Sequence, residues 1–255
     1  MFIILNRDKL LAYIVSVLTV ITLFGVANLT VKTETIETSS NVTQTLPIYN
    51  VQTEEKKIAF TMNCAWSAHD IDDILETLRS NEVKITFFIV GDWVDKNPEA
   101  VKKIYDEGHE IGNHSNTHPH VNNLTYEQNL EEIKKCSQKI EQITGKKPML
   151  YRAPYGEYND TVIKSAFENE YYAIQWNKDI LDYQALTGEQ MWKRIGSNLQ
   201  NGDIILSHNG TAHTADSLDM LLKNIKEKGF EIVKVSDLIC KENYEINNNG
   251  TQISK

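Results

Sequence analysis

Residues 57–90 read KIAFTMNCAWSAHDIDDILETLRSNEVKITFFIV and lay out one strand–helix–strand unit. Lys57–Met62 is mostly apolar and reads as a buried strand. Ile71, Ile74, Leu75 and Leu78 recur at helical spacing, which predicts a helix over Asp70–Ser80. Ile85–Val90 is β-branched and aromatic, as a central strand requires.

The same alternation continues downstream. Pro98 opens a helix carrying Val101 and Ile104 that stops at Gly108. Glu110–Gly112 reads as a short strand. Thr125 caps a helix with Leu130, Ile133, Ile140 and Ile143 on one face, closed by Gly145. Met149–Arg152 is a strand, Asp160 caps a helix to about Asn169, and Tyr172–Trp176 is a strand. Gly188–Asn198 is a helix, Ile204–Ser207 a strand, Ala215–Lys228 a helix and Glu231–Val235 the last strand. Repeated βα units imply a parallel sheet with helices outside it. Roughly seven strands suit a closed or nearly closed barrel, and a doubly wound open sheet is the alternative. Either way, ligand chemistry belongs at the C-terminal strand ends.

Composition narrows the class. The chain has 255 residues, 41% of them hydrophobic and 24% charged, which suits a globular core with an appendage. Its 35 acids against 26 Lys and Arg give a net charge of −9. That balance argues against a nucleic-acid partner and against electrostatic docking on anionic lipid. Three widely spaced cysteines, Cys64, Cys136 and Cys240, make neither a disulfide framework nor a cysteine-rich zinc site.

Leu10 to Leu29 carries no charged residue, and Arg7 and Lys9 precede it. About 20 such residues span a bilayer, and the basic flank stays cytoplasmic. This predicts a single-pass membrane anchor with the rest of the chain extracytoplasmic, a cleaved signal peptide being the alternative. The expected organisation is therefore an n-region and anchor at 1–30, a polar linker at 31–55, a catalytic domain at 56–241, and a flexible tail at 242–255.

Four predicted strand ends carry polar residues that a core would not choose. His114-Ser115-Asn116-Thr117-His118 places two imidazoles four residues apart, in reach of one metal. His109 and His120 lie close by in sequence. Tyr151-Arg152-Ala153-Pro154-Tyr155-Gly156 presents a guanidinium on a rigid turn. Trp176-Asn177-Lys178-Asp179-Ile180-Leu181-Asp182-Tyr183 offers two carboxylates among aromatics. Leu206-Ser207-His208 puts an imidazole at the mouth of a buried strand. Each alone reads as a turn, a cap or a structural histidine. Together at one sheet edge they meet the needs of metal-assisted hydrolysis.

These four segments, in this order, resemble the polysaccharide deacetylase family, carbohydrate esterase family 4 with its NodB-homology domain. The likeness spans about Lys57 to Leu238. It implies a distorted (β/α)7 barrel of the NodB type that removes N-acetyl groups from amino sugars of an envelope polysaccharide such as peptidoglycan. By the resemblance, His114 and His118 bind a divalent metal, zinc first, with cobalt, manganese or nickel as other choices. Arg152 orients the base, and His208 protonates the departing amine. Asp179 tunes His208, with Asp182 the second choice. Tyr155, Trp176 and Leu206 wall the acetyl and sugar site beside Pro154.

The first motif departs from the family, which has two adjacent aspartates where this chain has Asn63 and Cys64. Asn63 falls at the base position, and an amide accepts no proton at neutral pH. Asp70 is the expected third metal ligand, because relatives with a similar Cys-Ala-Trp segment carry an acid there. A Cys64 thiolate on zinc and Asp70 as base are the alternatives. A catalytically impaired homologue that binds glycan or acts as a scaffold at the envelope is the competing function. A hydrolase of another amide, such as a cyclic ureide, is a third.

Overall fold

The computed structural model describes residues 46–255. The predicted anchor at Leu10–Leu29 lies outside them. Among the described residues no helix is long and apolar enough to cross a membrane.

In chain order the elements are β1 (Asn50–Val51), β2 (Lys57–Cys64), α1 (Ile71–Ser80), β3 (Thr86–Ile89), α2 (Gly91–Lys96), α3 (Pro98–Asp106), β4 (Glu110–Asn113), α4 (Tyr126–Thr144), β5 (Leu150–Tyr151) and α5 (Asp160–Phe167). They continue with β6 (Tyr172–Ala173), β7 (Lys178–Asp179), α6 (Gly188–Ile195), β8 (Ile204–His208), α7 (Thr214–Glu227), β9 (Glu231–Val233), α8 (Val235–Leu238), β10 (Tyr244–Ile246) and β11 (Thr251–Ser254). Eight strands form one sheet in the order β6-β5-β4-β3-β2-β8-β7, with β9 also on β2, and every pairing is parallel. Among the described residues β6 and β7 do not pair with each other, so the sheet is an open half-barrel, less closed than the distorted barrel expected.

The period of two along β2 decides what each of its side chains does. Ile58, Phe60, Met62 and Cys64 turn outward into the large core beneath the helices. Ala59 turns inward, into the cluster of Phe88, Leu150, Ile174 and Ile204. Thr61 and Asn63 follow Ala59 on that inner face. The central strand β3 divides the same way, with Phe87 and Ile89 outward and Phe88 inward. Each buried Phe contributes about 2–3 kcal/mol of transfer free energy. Gly112 sits opposite Phe88 in register, and a Cβ there would lie 2.6 Å from the Phe88 ring. Glycine at 112 is what lets a full phenyl ring fill the inner face.

Helix signals in the sequence were accurate where caps are strong. Thr125 and Gln128 form a reciprocal capping box, and Gly145 closes α4 at φ 71°. For α5 the cap is Asn159, whose side chain accepts from the Val162 N–H, not Asp160. The polar tail is not frayed: β10 and β11 form a hairpin, and β11 pairs with β1. Buried Gln252 fixes it, its amide accepting from Cys240 N at 2.8 Å and donating to Cys240 O at 2.7 Å.

Candidate active site

The inner face ends in a cluster of polar side chains at the C-terminal rim of the sheet. Asn63 on β2 stands in register with His208 on β8 and with Phe88 on β3. Arg152, just beyond β5, has no exposed surface. Its Nη1 donates to Thr61 Oγ1 at 2.8 Å and to Asn63 Oδ1 at 3.0 Å, and its Nη2 to Gln175 O at 3.1 Å. The guanidinium carbon lies 4.0 Å from the Phe88 ring centroid. No carboxylate is among these partners, and burial lowers the Arg152 pKa to about 9. The guanidinium thus reaches the predicted base position, and an amide meets it there.

His208 is held by Asp182. The imidazole Nδ1 bonds Asp182 Oδ1 at 2.8 Å, while His208 N and Thr214 Oγ1 donate to Asp182 Oδ2 at 2.6 and 2.8 Å. Asp182, with no exposed surface, fixes both the ring and its tautomer. This corrects the preference for Asp179, whose carboxylate instead accepts from Leu181 N at 2.8 Å. Leu181 adopts φ 54°, and this left-handed residue turns the chain so that Asp182 faces His208. Burial raises the Asp179 pKa.

His114 follows β4 and is buried. Its Nδ1 bonds Arg152 O at 2.7 Å, which leaves Nε2 as the bare nitrogen. Its ring centroid lies 5.0 Å from that of His118. Burial drives the His114 pKa well below its usual value, the neighbouring His118 adding to the effect, and burial lowers His118 too. Burial thus favours the neutral form of both rings, the form that ligates a cation. The loop is organised from helix α4: Glu132 Oε2 accepts from Ser115 Oγ, Asn116 N and Thr117 N at 2.6, 3.0 and 2.8 Å. Ser115 and His118 adopt φ 69° and 59°, a strained left-handed backbone that these bonds hold in place.

Two imidazoles fit two coordination positions of a divalent ion. Among the described residues no group of three His, Cys, Asp or Glu side chains gathers to complete a metal site. The expected third ligand, Asp70, lies elsewhere in its bonding: Oδ1 accepts from Asn209 Nδ2 at 3.1 Å and Oδ2 from Gly210 N at 2.6 Å. Cys64 points to the opposite face of β2 from Asn63, and burial pushes its thiol pKa well up, so it is a packing residue rather than a ligand.

Of the predicted walls, Tyr155 is exposed and meets the His118 ring edge-on at 4.6 Å. Pro154 and Leu206 are buried, and Trp176 is half-buried with Arg152 5.4 Å from its ring. Two aromatics were not singled out as site residues in the sequence. The Trp66 and Tyr183 rings lie 5.2 and 5.5 Å from His208, and both are half exposed. His120, which stacks on Tyr155 at 4.3 Å, is bound by Glu157 at 2.7 Å. His109 lies away from the site, with Nδ1 accepting from Ile85 N at 3.2 Å.

This rim brings two imidazoles, a buried guanidinium and a carboxylate-held histidine to the C-terminal edge of a parallel half-barrel, groups of the kind that metal-assisted hydrolysis uses. The model of the polysaccharide deacetylase family matches residues 50–174. A peptidoglycan-N-acetylglucosamine deacetylase of Bacillus cereus is 33% identical over 196 residues, covering 75% of this chain and 92% of its own length. The chain belongs to the polysaccharide deacetylase family. The Bacillus subtilis protein YlxY is 37% identical over 193 residues, 76% of this chain, and this chain spans 60% of its length. Among solved structures, BA3943 of Bacillus anthracis, a carbohydrate esterase family 4 pseudoenzyme, is similar at 31% identity and TM-score 0.74, over 77% of this chain and 69% of that one. A mutant of BA3943 with restored enzymatic activity matches with the same score and identity, over 77% of this chain and 72% of the mutant's.

Proposed function

We propose that the chain acts on N-acetylated amino sugars of a cell-envelope glycan, peptidoglycan first, removing acetyl groups by metal-dependent hydrolysis. The observation that carries this is the His208–Asp182 pair standing in register with Asn63, across the rim from His114 and His118. The bacterial peptidoglycan deacetylases among its relatives support the choice of substrate.

A bound divalent ion, zinc by the two-imidazole donor set, would supply Lewis acidity toward the acetyl carbonyl and its attacking water. The chain's own groups do the rest. A water made more acidic by the ion would add to the carbonyl carbon and lose a proton to solvent, because Asn63 accepts none; the C–N bond then breaks, and acetate and a free amine result. With Nδ1 committed to Asp182, His208 uses Nε2 to give a proton to the departing nitrogen. Tyr155, Trp66 and Tyr183 present apolar ring surface to the sugar.

The Asn63 amide favours a second reading, a homologue of weak or absent turnover that retains glycan binding. Its Oδ1 already accepts from Arg152, and an amide takes no proton. The uncharged run from Leu10 to Leu29 supports an anchored, extracytoplasmic position, where such a glycan is found.

The test is acetate release from N-acetylglucosamine oligomers by the zinc-loaded full chain in detergent. Release abolished by a chelator and by His114→Ala supports the enzyme. Oligomer binding without release supports the second reading, and neither binding nor release overturns both.

A further inference from the structure

Among the described residues the exposed large hydrophobic side chains fall into two groups. Trp66, Tyr155 and Tyr183 each lie in ring contact with a histidine of the site, while Met149 and Phe167 lie outside it. Of the three, Trp66 comes from the altered first motif, and its indole is tilted 33° to the His208 imidazole with half its surface open. An indole left that open at a catalytic rim is a ready apolar platform for a ligand face.

The loop that carries Trp66 is fastened to the loop after β8. Asn209, with no exposed surface, donates from Nδ2 to Ser67 O at 2.5 Å and to Asp70 Oδ1 at 3.1 Å. Gly210 N donates to Asp70 Oδ2 at 2.6 Å. Gly210 adopts φ +69°, and a Cβ there would lie 2.9 Å from Ser67 O and 3.3 Å from Trp66 Cβ. The two loops thus touch backbone to backbone. Asp70 stands at the N-cap of α1, yet its side chain makes no capping bond. An aspartate there ordinarily serves its own helix. This one spans to the segment that begins with His208.

We propose that Trp66 seats the pyranose ring whose nitrogen is brought to His208, and that Asp70, through Asn209 and Gly210, is the positioning residue that keeps Trp66 over that imidazole. The ligand class is a β-linked N-acetylated amino-sugar oligomer, whose axial C–H face lies flat on the indole. The proposal rests on the deacetylase reading. It assigns Asp70 a fastening role in place of metal ligation.

The experiment measures binding of a β-1,4-linked N-acetylglucosamine tetramer to the zinc-loaded full chain by calorimetry, alongside zinc content. Trp66→Ala is expected to weaken binding about tenfold, equivalent to ~1.4 kcal/mol. Trp66→Phe is expected to stay within about threefold of the wild type, because a ring remains. Asp70→Ala is expected to weaken binding nearly as much as Trp66→Ala at unchanged zinc content. The double variant should bind no more weakly than Trp66→Ala alone, the non-additivity of a shared mechanism. A purely structural Asp70 would instead add its own loss. Should Asp70→Ala fail to fold, Asp70→Asn keeps one acceptor for Gly210 N and carries the same comparison. Unchanged affinity in Trp66→Ala, or zinc loss in either Asp70 variant, overturns this proposal alone. A wild type that binds no tetramer overturns it together with the deacetylase reading.

Discussion

Arg152 meets Asn63 at 3.0 Å from a position with no exposed surface, and no acid shares the contact. A buried cation normally has an anionic partner, because the cost of desolvating it is large. Here Thr61, Asn63, the Gln175 carbonyl and the Phe88 face share that task. The site therefore keeps the cation half of an ion pair.

The planar fork of Arg152 makes bonds in three directions that an ammonium cannot reproduce. Arg152→Lys is expected to lose about 3 kcal/mol of stability, since hydrogen bonds to charged groups are worth roughly 1.5–3 kcal/mol each. Urea denaturation measures this, and a loss below about 1 kcal/mol would mean that the bonds are not formed.

Asp182, not Asp179, sets the His208 ring. In a background that turns over, Asp182→Asn is expected to lower kcat about 100-fold with little change in KM, the scale of general acid catalysis. Asp179→Asn should stay within about threefold of its parent. Steady-state acetate release checks both, and a larger effect at Asp179 would reverse the assignment.

Glu132 holds the strained His114–His118 loop by accepting from Ser115, Asn116 and Thr117. Partners that orient ligands are worth about 10–100-fold in metal affinity. Glu132→Gln should weaken zinc binding by that order in a chelator competition. Cys64→Ala should leave zinc affinity unchanged, because the thiol lies on the other face of β2.

Burial lowers the His109 pKa to about 3. Its folded value lies below the unfolded value near 6.5. Above that pH both states are neutral and the group adds no pH dependence. As pH falls from about 6.5 toward 3, only the unfolded chain takes the proton, and stability drops by up to ~1.4 kcal/mol per pH unit. His109→Gln, which keeps an acceptor for the Ile85 N–H, is expected to flatten this slope by about one proton in denaturation between pH 7 and 5. An unchanged slope would mean that His109 is protonated in the fold.

Much of this was legible in the sequence, and the misses have physical causes. The apolar run Lys57–Met62 marked the strand, and the family resemblance marked the place of Asn63. The short helix Gly91–Lys96 was hidden because it starts on the residue after strand β3's loop end, with no side-chain cap. Strand Lys178–Asp179 is polar and two residues long, so it leaves no periodic signal. The C-terminal hairpin is polar as well, although Asn247 and Gly250 carried its turn: Asn247 Oδ1 accepts from Asn249 N and Thr251 N. Spacing could not choose between Asp179 and Asp182, because the choice depends on the left-handed turn at Leu181. Asp70 was read by likeness to relatives, and its bonds to Asn209 and Gly210 link positions about 140 apart, which no local pattern reports.

The most direct measurement restores the missing acid. Zinc-loaded wild type and Asn63→Asp are compared for acetate release from N-acetylglucosamine oligomers, with chelator controls. A base placed beside Arg152 should raise turnover about 100-fold or more over the wild type. If the variant folds, holds zinc and binds the oligomer yet releases acetate no faster, the rim is not the deacetylase geometry described here.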